Sequence, residues 1–286
     1  MMYFLTVNYN SSRLIEKLIA SLPGEGEYEL LVVNNSADDR AIYNLQSSRV
    51  RVIASPNNLG FGKACNLGLD WIYERDSQSL VWLINPDAYL LPESLTSARE
   101  FLIENPEVGI LGTEVYEPDG SLWFGWGYFN RGNGEIISMK SPLDYEGKSY
   151  KKVEWVTGCS LIINLVHFSA PPQFDHDYFL YCEDFDFCKR YAREGYVVAM
   201  TGRIKVIHSP SSITLRYGYL QLTQNIYSYL LSLEKHTSFW ILYGRFLRMI
   251  FMSLIVLPVK PRFSLAKLAG IKLYGGRLIS QYLKRN

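Results

Sequence analysis

Five acidic side chains fall within the twelve residues from Asp175 to Asp186, in the stretch Phe174-Asp175-His176-Asp177-Tyr178-Phe179-Leu180-Tyr181-Cys182-Glu183-Asp184-Phe185-Asp186. Phe187 and Tyr191 follow one helical step apart, so a helix is predicted to start near Glu183. Glu183 and Asp184 then lie in its first turn, where the positive end of the helix dipole favours an ionised carboxylate. Such a carboxylate can take a proton; the same pair would equally serve as ordinary N-terminal capping. Asp186 and Arg190, at i and i+4, are expected to form an ion pair on the helix surface.

Three further clusters could do chemistry. In Val81-Trp82-Leu83-Ile84-Asn85-Pro86-Asp87 an apolar run and a rigid proline deliver a carboxylate, either as a turn-forming Asx residue or as an oxygen ligand for Mg²⁺ or Mn²⁺. Those ions dehydrate reluctantly and are held by one or two carboxylates plus substrate phosphates. In residues 55–66, Asn58, Gly60, Gly62, Lys63 and Asn66 surround a strand-to-helix turn, where backbone N–H groups and a cation can meet a phosphate. The competing reading is a turn capped by Asn58 with Lys63 in solvent. His208 ends the run Lys205-Val206-Ile207 and could aim a neutral imidazole at a metal or a phosphate, or be structural. Cys65, Cys159, Cys182 and Cys188 have neither C-x-x-C spacing nor a histidine at zinc-ligand distance, which argues for packing in a reducing cytoplasm.

Positioning these groups requires strand ends. Short apolar runs alternate with helical stretches: strands at 3–8, 29–34, 50–54, 80–85 and 109–115, and helices at about 12–22, 60–75 and 92–104. That alternation predicts an α/β fold with a mostly parallel, doubly wound sheet whose ligands lie beyond the carboxyl ends of the strands. Asn8, Asn34, Asn35, Asn57, Asn58, Asn85 and Asp87 all fall at such ends and should converge on one crevice. Residues 117–152, rich in Gly, Tyr and Ser, read as hairpins or a mobile loop, and order returns at Val153. From Tyr217 the pattern is helical, which places a domain boundary near residue 212, with 1–212 as the α/β domain and 213–286 as a basic helical region.

The 286 residues, 48% hydrophobic, suffice for a full core and exclude a disordered tail or fibrous repeat. The net charge of +1 conceals a division. Residues 235–286 carry 10 basic and no acidic side chains, whereas 1–234 carry 19 basic and 28 acidic ones. The acidic body lacks the basic stripe of a nucleic-acid-binding protein. The start, MMYFLTVNYN, lacks a basic n-region and cleavage site and reads as a buried strand. Residues 239–257 are apolar but interrupted by Arg245 and Arg248, so the tail reads as amphipathic helices on an anionic cytoplasmic leaflet or, alternatively, as helices packed on the body or in a homodimer.

Taken in order, VNYN, VVNNSADD, NNLGFGKACN, LINPDAYL, WVTGCSLII, FDHDYFLYCEDFDFCKR and IHSP resemble the family 2 glycosyltransferases, and within them the rhamnosyltransferase-like members, over about residues 3–210. The resemblance implies the GT-A nucleotide-diphospho-sugar transferase fold, with a helical C-terminal appendage here, and transfer of a sugar with inversion. It also implies that Thr6, Asn8, Asn34 and Asn35 line the nucleoside pocket, and that Asn58, Gly60, Lys63 and Asn66 lie near ribose or diphosphate. Asn85-Pro86-Asp87 stands where the family has its D-x-D variant, so Asp87 is implied to bind the divalent cation, Mg²⁺ or Mn²⁺, with His208 near it. Asp184 of the Glu183-Asp184 pair matches the general base, and residues 155–160 match the segment facing donor sugar and acceptor.

The family usually has Asp before the second asparagine of VVNN; here Asn34 stands in its place. Its amide can accept from the N3–H of uracil or thymine, so the expected donor is dTDP-rhamnose or a UDP-sugar. The expected acceptor is a hydroxyl of a cell-surface glycan such as O-antigen, or of its lipid-linked precursor, reached by an enzyme peripheral on the inner face of the cell membrane. The alternatives are a UDP-hexose or galactofuranose transferase and, from another class, a non-catalytic nucleotide-sugar-binding scaffold.

Overall fold

A computed structural model describes residues 1–209 and 218–285. The expected boundary near residue 212 lies outside the described residues. The chain runs β1 (Met2–Asn8), α1 (Ser12–Ser21), β2 (Tyr28–Asn34), β3 (Val50–Ala54), α2 (Phe61–Tyr73), β4 (Leu80–Ile84), β5 (Ala88–Leu90), α3 (Ser94–Glu104) and β6 (Val108–Tyr116). Then come β7 (Leu122–Phe124), β8 (Trp126–Asn130), β9 (Glu135–Met139), β10 (Lys151–Lys152), β11 (Ser160–Asn164), α4 (Glu183–Arg193) and β12 (Val197–His208). Three helices close the chain: α5 (Gly218–His236), α6 (Phe239–Val256) and α7 (Pro261–Arg285).

The main sheet has the order β10-β12-β6-β11-β4-β1-β2-β3, with β5 on β12 and β7 on β6. Strands β3, β2, β1 and β4 are mutually parallel, and β6 and β12 share their direction because β11 pairs antiparallel with both β4 and β6. Most of the sheet therefore runs one way, as the βα alternation requires. Strand β1 (MYFLTVN) is buried at every position and β11 (SLIIN) likewise, the mark of strands covered on both faces. Helix α2 packs Ala64, Cys65, Leu69 and Ile72 inward, an apolar stripe at helical period. The third helix starts two residues later than its sequence suggests, because Glu93 takes a left-handed conformation (φ 66°) that the helix cannot continue through.

The Gly-rich stretch contains an antiparallel hairpin, β8–β9, of the two forms expected the ordered one. Gly127 pairs with Trp155 across it. Helices α5, α6 and α7 share a smaller core of Ile226, Leu230, Leu233, Ile271 and Tyr274. The hairpin tip is fastened to them: Tyr229 OH donates to Gly134 O (3.0 Å) and Arg245 Nε to Asn133 O (2.5 Å). Helix α6 has a mean hydropathy of 1.6, is 6% buried, and is long and apolar enough by length and composition to cross a membrane. It leaves Trp240, Leu247, Phe251 and Ile255 exposed.

Candidate functional site

The carboxyl ends of the first two strands lie side by side. Asn8 closes β1 and Asn34 closes β2, adjacent in register. Asn8 Nδ2 donates to Asn34 Oδ1 (3.0 Å) and to Asp39 Oδ2 (3.1 Å), while Asn8 Oδ1 accepts from Ser11 N and Oγ. Asn34 Oδ1 also accepts from Ser36 N (3.2 Å), leaving its Nδ2 on a long 3.4 Å contact to Tyr43. The oxygen thought to read the base thus already holds two donors. Asn35 Oδ1 accepts from Leu59 N and Ser55 Oγ, and its Nδ2 donates to Asn58 Oδ1 (3.0 Å). Thr6 is fully buried with its Oγ1 unpartnered.

Asn58 Oδ1 accepts from Gly60 N (3.0 Å), the turn cap expected there. Gly60 has φ 84°, and a Cβ on it would stand 2.2 Å from Phe179 O, so the residue must be glycine for Phe61 N to donate to that carbonyl (3.0 Å). This bond fixes the acidic stretch over the start of α2. Lys63 is half-buried at the same end. Asn66 is buried, and its amide embraces the Phe174 backbone, accepting from N (2.7 Å) and donating to O (2.8 Å). Its place is beneath the acidic stretch rather than at an open surface.

Asp87 follows β4 and is buried, with Oδ1 3.2 Å from His208 Nε2 at the end of β12. Strand β5 brings them together, because Ala88 pairs with His208. His208 Nδ1 is buried without a partner, and the Trp123 ring stands edge-on 4.5 Å from the imidazole. Trp123, within the Gly-rich stretch, carries no sequence signal for this role. No group of three or more His, Cys, Asp or Glu able to hold a metal occurs among the described residues. The Asp87 carboxylate and the His208 Nε2 that faces it nevertheless fit Mg²⁺ or Mn²⁺ where a diphosphate supplies the other ligands.

Glu183 and Asp184 open α4 as the sequence predicts, but their environments differ. The chain enters the helix through Tyr181 and Cys182, both left-handed (φ 72° and 61°). Asp184, half-buried, accepts Gly158 N on Oδ2 (2.9 Å) and its neighbour Phe185 N on Oδ1 (2.8 Å). Burial raises its pKa above the ordinary carboxylate value, and these N–H groups pull against that rise. Glu183 is buried with Oε2 unpartnered. Burial, then the charge of Asp184, pushes it up to about 8, so the helix dipole does not keep this carboxylate ionised as expected.

Because its folded pKa lies above the unfolded value, Glu183 contributes stability below pH 4.5 that is lost as pH rises toward 8. Glu183→Gln is expected to remove this part of the pH dependence; denaturant unfolding at pH 5 and pH 8 checks it, and an unchanged slope contradicts it.

Asp186 corrects the expected surface pair. It is bonded to Arg190 Nε through Oδ2 (2.7 Å), but it is fully buried and also bonded through Oδ1 to His236 Nε2 (2.8 Å). Against the burial that raises it, these two partners hold its pKa below the usual carboxylate value.

The turn between Thr157 and Ser160 links the segment that carries Asp87 to Asp184. Gly158 N donates to Asp184, Cys159 O accepts from Asn85 N (2.9 Å), and the buried Cys159 thiol is pushed up by burial and then by the charges of both Asp87 and Asp184. The arrangement can grip a pyrophosphate and its cation on one side of a turn and take a proton on the other. All four cysteines are free thiols.

Residues 3–163 match the family model "Glycosyl transferase family 2". The N-acetylglucosaminyl-diphospho-decaprenol L-rhamnosyltransferase of Mycobacterium tuberculosis is 24% identical over 82% of this chain and 85% of its own length. Among solved structures, the mannosyltransferase PcManGT from Pyrobaculum calidifontis in complex with GDP-Man and Mn²⁺ superposes with a TM-score of 0.57 at 12% identity, over 96% of this chain and 86% of that one. GalNAc-T7 with UDP, GalNAc and Mn²⁺ gives 0.61 at 12% identity over 82% of this chain, which spans about half (47%) of that protein. These neighbours share the GT-A fold. The chain belongs to glycosyl transferase family 2, and its enzymatic class is that of a glycosyltransferase.

Proposed function

We propose that the chain is an inverting rhamnosyltransferase that moves the sugar of a nucleotide-diphosphate donor, dTDP-rhamnose first, to a hydroxyl of a lipid-linked saccharide or cell-surface glycan, with Asp184 as general base. The observation that carries this reading is that the Gly158–Cys159 turn holds Asp184 through Gly158 N and the Asn85-Pro86-Asp87 turn through Cys159 O. The relative from Mycobacterium tuberculosis, named for rhamnose transfer to a lipid diphosphate saccharide, supports the donor and acceptor class.

In this reading Thr6, Asn8, Asn34 and Asn35 form the nucleoside bed, its amides pre-set by the bonds among them. Asn58, Gly60 and Lys63 border the diphosphate, and Asn66 shapes that border through Phe174. Asn85 and Pro86 set the turn that aims Asp87. Asp87 and His208 would hold the divalent cation, which when bound offsets the negative charge growing on the departing diphosphate. Asp184 keeps each oxygen on one backbone N–H and has lone pairs left for the acceptor hydroxyl, whose proton it takes as that oxygen attacks C1 from the side opposite the diphosphate. Glu183, protonated and facing Gly62 and Cys65, stays out of that transfer.

Residues 213–286 are proposed as the membrane-associating part of a cytoplasmic, peripheral enzyme. The exposed face of α6 and the positive charge of 235–286 suit an anionic leaflet that also carries the acceptor. Nucleotide release measured over a panel of dTDP-, UDP- and GDP-sugars, with Mn²⁺ and with anionic or neutral vesicles, tests both parts. The expected result is fastest turnover with dTDP-rhamnose and sedimentation with anionic vesicles only. Preference for a UDP-hexose overturns the donor, and a fully soluble protein beside anionic vesicles overturns the membrane reading.

A further inference from the structure

His236 ends α5, fifty residues beyond the base-bearing turn, and is buried there. Its Nε2 lies 2.8 Å from Asp186 Oδ1, and its ring meets Phe185 edge-on at 5.2 Å. Phe185 and Asp186 directly follow Asp184 in the first turn of α4. We propose that His236 is a positioning residue for Asp184: its Nε2 hydrogen bond to Asp186 Oδ1 locks the turn that aims the base. The inference rests on the reading of Asp184 as base.

Three observations carry it. The entry into α4 is strained, since Tyr181 and Cys182 both sit in the left-handed region. Such backbone persists where its surroundings over-determine it, and α5 supplies the constraint at successive turns. Ser228 Oγ donates to Leu180 O (2.8 Å), Ser232 Oγ bonds Tyr178 OH (3.1 Å), Lys235 pairs with Asp175, and His236 completes the row at Asp186. Finally, Asp186 already has Arg190 as counter-charge, so what His236 adds is a directed hydrogen bond on the other carboxylate oxygen. With Asp186 fixed from two sides, the turn cannot rotate Asp184 away from Gly158 N.

A base displaced by a fraction of an ångström loses rate while the donor pocket, on the far strands, keeps its shape. His236→Ala in the full-length enzyme is therefore expected to lower kcat about tenfold and leave donor KM within about twofold. His236→Gln, whose amide can still donate to Asp186, is expected to recover most of that loss. Unchanged kcat in His236→Ala overturns the proposal, as does a parallel loss of kcat and donor binding that glutamine does not repair. Should His236→Ala fail to fold, His236→Phe, which fills the space beside Phe185 but has no donor for Asp186, decides: a lower kcat at constant donor KM supports the proposal, and an unchanged kcat refutes it. A wild-type enzyme that turns over no sugar nucleotide would instead indict the functional reading, so the two failures are distinguishable.

Discussion

Asp184→Asn is expected to lower kcat by about 10²–10⁴-fold, the usual contribution of a positioned general base, with nucleotide-diphosphate affinity unchanged. The asparagine keeps the shape of the side chain and one oxygen for Gly158 N or Phe185 N, so the turn can persist while the proton acceptor is gone. Pre-steady-state nucleotide release and calorimetric donor binding together check the result. Near-normal turnover would remove Asp184 from the mechanism. The wild type should show the matching pH limb. Burial sets the folded pKa of Asp184 above the ordinary value, so activity falls as pH drops through that raised pKa and the carboxylate takes up a proton.

The second large effect is expected at Asp87. Asp87→Asn retains a partner for His208 but removes the single carboxylate in that cluster, so affinity for a nucleotide diphosphate in the presence of Mn²⁺ should fall roughly 100-fold. In chelator, the variant and the wild type should bind the same nucleotide equally weakly. Calorimetry with and without the ion separates the two cases; an equal Mn²⁺-dependent gain in both proteins would exclude Asp87 as ligand. His208→Ala should give a smaller loss of the same kind, because imidazole is the softer and less charged donor.

The strand ends were legible because a buried parallel strand writes itself as an apolar run and the next polar residue marks its carboxyl end: Asn8, Asn34 and Asp87 all fall there. The start of α4 was legible too, since Phe187 and Tyr191 set its period and both are buried. What local pattern does not encode is the partner across space. Asp186 and Arg190 have ideal spacing for a surface pair, and only tertiary packing buries the aspartate against His236. Asn34 and Asn8 satisfy each other, a choice that neither strand reveals alone. Trp123 reaches His208 only because β7 folds back on the end of β6, a pairing hidden in a stretch without period. The hydrogen-bonded grip of Asn66 on Phe174 spans 108 residues and has no signature in either segment.

The state of Cys159 has a practical consequence. Burial, and after it the charges of Asp87 and Asp184, push the ionisation of its thiol well above the normal thiol range, and burial does the same for Cys65. Cys182 and Cys188 are raised as well, each chiefly by burial. A thiol with so little thiolate is a poor target for alkylating agents and peroxide. Alkylation of the native protein at neutral pH is therefore expected to be slow at Cys159, with the sulfur beside Gly158 labelled only once the chain is unfolded.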